Sequence, residues 1–252
     1  MWLVAPVVTA ADLAADQFAA YGPSHWAALG FFAAGCAVLV LVGRTQRTTG
    51  PEPGEQARGF GRAYALGIVY VMIGTQLHAL LPGQWRLGGS LPLHLCDLAW
   101  PAAVVALWTL GRRAFALTYY WGLTLSIQGL LTPTLDGGDY PDIAYLAFFG
   151  MHVMIVWSAV YLTWGLGMRP DWWSYRFACA ATAVWAVFTF VFNLAAGTNY
   201  GYLNDKPAGG SVLDLMGPWP WYVLVEAVVI LLGWALITWP WTRTDRTREP
   251  AG

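Results

Sequence analysis

Seven long apolar runs fill most of this 252-residue chain, and its thirteen Lys and Arg residues lie at or beyond the ends of those runs. The runs cover residues 26–43, 62–81, 91–110, 114–132, 143–167, 175–196 and 219–241. Each holds about 18–25 residues, enough to cross a hydrocarbon core of about 30 Å at about 1.5 Å per residue. Runs this long, without polar alternation, exclude the strands of a transmembrane barrel. With 58% hydrophobic and 11% charged residues and a mean hydropathy of +0.50, the composition belongs to the membrane class. The spacing predicts an all-α, polytopic membrane protein with seven transmembrane helices.

The basic residues also sort by side. Arg44, Arg47, Arg58 and Arg62 follow the first run, and Arg112 and Arg113 the third. Arg169 and Arg176 follow the fifth, and Arg243, Arg246 and Arg248 the last, leaving Arg86 and Lys206 for the opposite side. Because cytoplasmic loops carry the excess of Lys and Arg, the N-terminus is expected outside and the C-terminus in the cytoplasm. The corresponding division is an extracytoplasmic segment 1–25, a seven-helix membrane domain 26–242 and a cytoplasmic tail 243–252. The first 25 residues contain no Lys or Arg and do not resemble a secretory signal. Residues 3–18 are expected to lie along the interface.

Trp26, Trp85, Trp172, Trp173, Trp219, Trp221, Tyr222, Trp239 and Trp241 crowd the run ends, where aromatic rings favour the headgroup level. A net charge of −1 supplies no basic patch, so nucleic acid is not an expected partner. Cys36, Cys96 and Cys179 fall in apolar runs and the outer loops have no cysteine, which excludes a disulfide framework there. Twelve Arg against one Lys suggest a GC-rich bacterial source. The outer loop 197–218 collects Asn199, Tyr200, Asn204, Asp205, Lys206, Ser211 and Asp214 among glycines and prolines. A polar loop of this kind serves either as a lid over one face or as a solvated connector.

Ionisable and amide side chains within a crossing are costly and usually face the bundle interior or a wet cavity. His78, His94, Cys96, Asp97, Gln128, His152, Asn193 and Glu226 come from six runs, yet all lie about 5–14 Å below the outer ends. One polar chamber in the outer half of the membrane is the economical expectation. On an ideal helix His94 and Asp97 share a face, while Cys96 lies about 200° round from His94. A base for Cys96 is therefore expected from another helix, with His152 matching best in depth.

Three chemistries fit this set. A thiolate nucleophile with an imidazole base forms a thioester; histidines with carboxylates hold a zinc ion that activates water, with His78, His94 and His152 as ligands; paired histidines ligate haem. Retinal is excluded because no Lys lies in a crossing. A transporter or receptor, binding in the chamber without chemistry, is the non-enzymatic alternative. No internal repeat supports a duplicated transporter.

The segments LPLHLC at residues 91–96, FFGMH at 148–152 and NYGYLNDKPAGGSVLDLMGPWPWY at 199–222 resemble the YwaF family of bacterial integral membrane proteins, which is related to eukaryotic transmembrane protein 164. The resemblance covers nearly the whole chain. It implies phospholipid acyl transfer through a Cys and a His, roles that fall on Cys96 and His152. It implies membrane lipids as acyl donor and acceptor, no cofactor, and a multi-pass protein of the plasma (inner) membrane. His78, His94, Asp97, Gln128, Asn193, Asn199, Asp205, Lys206 and Glu226 are then the expected supporting, oxyanion or substrate-binding residues.

Overall fold

A computed structural model describes residues 17–48, 54–135, 137–207 and 211–246, the last three by their backbone. The interfacial segment expected at 3–18 lies almost wholly outside the described residues, as does the tail beyond 246.

Every described element is helical, apart from an isolated bridge between Gln17 and Gly138. The helices are α1 (Pro23–Thr45), α2 (Glu55–Ala79), α3 (Leu95–Thr109) and α4 (Arg112–Tyr120), the last running through a π-helical stretch, Trp121–Ser126, into α5 (Ile127–Leu131). α6 (Ile143–Val160) continues as a π-helical turn, Tyr161–Gly165, and α7 (Trp172–Ala196) and α8 (Trp221–Arg246) follow. Each of the seven apolar runs thus falls on a helical stretch. Among the described residues, four spans are long and apolar enough to cross a membrane: Pro23–Thr45, Ile143–Gly165, Trp172–Ala196 and Trp221–Arg243.

The third run starts late for a local reason. Pro92 disfavours helix at the residue before it, and His94 is still extended at φ −68°, ψ 149°, so α3 begins only at Leu95 and is 15 residues long. It ends where Leu110 turns left-handed at φ 53°.

One face of each of α7 and α8 looks outward: Val184, Val187, Phe188, Val191, Leu224, Val228, Leu232 and Leu236 are all exposed. An apolar exterior of this extent suits lipid rather than water. α6 is the enclosed helix, with 50% of its span buried against 6% for α1. Ile68, Leu107, Tyr119, Tyr120, Tyr161 and Trp234 fill the centre.

The first π-helical stretch is a docking point. The indole of Trp121 donates to Thr182 Oγ1 on α7 at 2.8 Å, and that of Trp234 on α8 donates to Thr124 Oγ1 at 3.0 Å. Each bond gives a buried ring nitrogen its partner. At the arginine-bearing end, Asp171 caps α7 by accepting from the Ser174 backbone and hydroxyl, and it pairs with Arg112. Arg47 donates to the carbonyls of Trp164 and Gly165, closing the end of the second π turn.

Candidate active site

His94 is the N-cap of α3, and its backbone N–H donates to Asp97 Oδ2 at 3.0 Å. Since His94 lies outside the helical backbone, the expected 200° separation from Cys96 does not hold. His94 and Cys96 line one cavity of about 360 Å³, bounded by α3, the first π-helical stretch, α7, α8 and the loop between α7 and α8. Its walls are mainly apolar, from Leu125, Trp185, Ile230 and Trp234, with Cys179, Thr182 and Glu226 as further polar groups. Glu226, one of the expected residues, is half-buried there.

The roof of this cavity is Gly201, Tyr202 and Leu203. Asn193 fixes it. Its Nδ2 donates to Tyr200 O and Asn204 Oδ1, and its Oδ1 accepts from Tyr200 N and Thr198 Oγ1, so both donors and both acceptor sites of the amide are used. Asn199 binds the loop in the same way, accepting from Asn204 N and Asp205 N and donating to Asp205 O. Tyr222 donates to Tyr202 O and Trp219 to Leu203 O, tying the loop to the start of α8. The loop from Asn199 to Lys206 is therefore a cover. Asp205 is exposed on it, while Lys206 pairs with Asp214 at 3.5 Å and stands 5.7 Å above the Tyr222 ring.

The two central histidines present opposite chemistry. His94 Nδ1 accepts a long bond, 3.4 Å, from Gly201 N, which leaves the proton on Nε2. His152 Nδ1 lies 2.7 Å from the Phe148 carbonyl, which only accepts, so the proton is on Nδ1 and the Nε2 lone pair is free. His152 is 4% exposed and its ring rests on that of Phe148 at 4.4 Å. Across from it is Gly129, where a Cβ would meet Nε2 at 2.5 Å. Only glycine leaves the imidazole room. His152 does not line the Cys96 cavity; Leu125, which does, is one helical turn from Gly129.

The expected single chamber is divided. Asp97 lines a second cavity of about 190 Å³ with Gln76, Ser90, Phe148 and Met151, on the other side of α3 from Cys96. His78 and Gln128 are exposed. Depth along a helix is common to all these residues, but the direction each faces is not. The zinc reading fails on the same geometry, because no three His, Cys, Asp or Glu converge among the described residues. His78 is on the surface, His94 in the cavity and His152 against Gly129.

His25, Cys179, Thr182 and Trp185 were not among the expected residues. His25 is buried, accepts from Tyr21 N and donates to Leu130 O, both at 2.8 Å, and so ties α1 to the end of α5. Its place at the margin of the first run hid it. Cys179, Thr182 and Ala186 recur at helical spacing and line the cavity together. That stripe, with a thiol and a hydroxyl on one face of the run, was the available signal. The indole of Trp185 donates to Leu93 O, bracing the turn before α3.

No curated protein and no solved structure matches the chain. A family model does, over residues 20–238, a stretch that takes in the helices up to the last two turns of α8, the covering loop and both cavities: the chain belongs to the TMEM164 family.

Proposed function

We propose that this membrane protein is a lipid acyltransferase working through a thioester on Cys96, with seven crossings and the covering loop on the outer side. The observation that carries the reading is the opening of the Cys96 side chain into an apolar cavity, roofed by a tied loop and shared with His94. Such a slot suits an acyl chain with its ester at the polar end.

The histidine tautomers divide the work. His152, with a free Nε2 lone pair, is the base that takes the Cys96 proton; His94, with Nε2–H, donates to the developing oxyanion. The Cys96 sulfur attacks the ester carbonyl of a phospholipid and the tetrahedral intermediate collapses. The lysolipid alkoxide leaves with the proton from His152, and the acyl group stays on sulfur. An acceptor hydroxyl then gives His152 its proton, attacks the thioester carbonyl and releases the Cys96 thiol; water in that role gives hydrolysis. His152 does not line the cavity, so the Cys96 proton reaches it through a bridging water or a rearrangement that brings the two within about 3.2 Å.

Purified protein incubated with isotopically labelled phospholipid should show one acyl mass on Cys96, removed by hydroxylamine. Full acyl transfer by Cys96→Ala protein would overturn the thioester.

A further inference from the structure

The largest of the cavities described lies away from this site. A groove of about 780 Å³ runs between α3 and α4, floored by Leu98, Pro101, Ala102, Val105, Leu117 and Trp121. At the arginine-bearing ends of the helices, Arg112, Arg113 and Trp173 form its mouth. From Leu98 to Thr109 the α3 wall extends about 16 Å, roughly half the thickness of a hydrocarbon core. The groove is one leaflet deep.

The mouth has a definite charge. Arg112 is committed, paired with Asp171 and stacked 4.2 Å from the Trp173 ring. Arg113 beside it is exposed and makes no hydrogen bond or ion pair among the described residues. A guanidinium above an apolar groove matches a phosphate above an acyl chain, and its planar fork binds phosphate oxygens in pairs. A zwitterionic headgroup gains less, because the carboxylate nearest the mouth, Asp171, is already taken by Arg112. We propose that this groove binds a net-anionic glycerophospholipid from the leaflet on the arginine side, with one acyl chain along Leu98–Leu117 and the phosphate on Arg113. The site is independent of acyl transfer at Cys96.

The test uses the full chain, delipidated in detergent and titrated with phosphatidylglycerol or phosphatidylcholine, with retained lipid counted by native mass spectrometry. Phosphatidylglycerol should be retained in preference. Arg113→Gln should lower its retention about 5-fold and leave phosphatidylcholine unchanged. Val105→Trp fills the groove from a position 48% exposed, so the fold tolerates it, and should lower the retention of both lipids by one molecule per chain. Arg176→Gln, on the same side but outside the groove, should change nothing. Undiminished preference in Arg113→Gln, or an equal loss in Arg176→Gln, would overturn the site.

Discussion

The imidazole of His152 sits so close to Gly129 that a Cβ on the glycine would stand 2.5 Å from Nε2. Gly129→Ala should therefore move the ring off its Phe148 carbonyl and misplace the proposed base. Acyl labelling of Cys96 should fall at least about 100-fold, the usual scale of general-base catalysis. His152→Ala combined with Gly129→Ala should recover thermal stability without recovering labelling. Normal labelling in Gly129→Ala would remove His152 from the mechanism.

His94 and Cys96 share a cavity, so loss of either should be felt in turnover. Cys96→Ala should abolish transfer and thioester formation. His94→Ala should slow both by about 100-fold or more, as loss of an oxyanion donor does. Single-turnover labelling followed by intact mass measurement separates the two. Unchanged rates in His94→Ala would assign that side chain to the roof alone.

Asn193 holds the cover with four hydrogen bonds while 2% exposed. Asn193→Ala should cost about 2–4 kcal/mol, since the Tyr200 backbone groups lose their partner inside the protein. Limited proteolysis should then cut between Asn199 and Lys206, where the native loop resists. A loop equally resistant in the variant would mean that Trp219 and Tyr222 suffice to hold it.

Asp171 lies beyond the membrane spans, at the start of α7. Burial raises its pKa, but the Ser174 bonds and the Arg112 guanidinium outweigh this and hold the carboxyl below its ordinary value of 3.8. A lowered folded pKa contributes stability that is complete above 3.8 and is lost as pH falls through the folded value. Asp171→Asn keeps a capping side chain but loses the charge facing Arg112, so it should lower the thermal midpoint at pH 7 by the equivalent of at most about 1 kcal/mol. The difference should shrink steadily below pH 3.8. A gap that persists unchanged in acid would exclude the carboxylate charge as its source.

Eleven of the thirteen basic residues sort to one side of the seven runs, so a reporter fused after Gly252 should be active only in the cytoplasm. A tag ahead of Trp2 should be accessible from outside intact cells. Accessibility of both ends from one side would require an even number of crossings.

Residue order alone was enough to mark the helices and the membrane class. The apolar runs lie on the observed helices, because an uninterrupted run of apolar residues about 20 long satisfies its backbone only as a helix. Distance from a helix end follows in the same way, at about 1.5 Å per residue whatever the neighbours are. Direction was not legible. His94 left the helical phase because α3 starts one residue later, and this put it beside Cys96. Asp97, next in sequence to Cys96, opens to the opposite cavity. Gln128 and His78, at matching depth, face outward. Asn193 was legible as a buried amide, but its partners are loop atoms up to eleven residues away. Which face of a helix meets which neighbour depends on ridges, glycines and loop ties from the rest of the chain, and only the packed tertiary structure decides it.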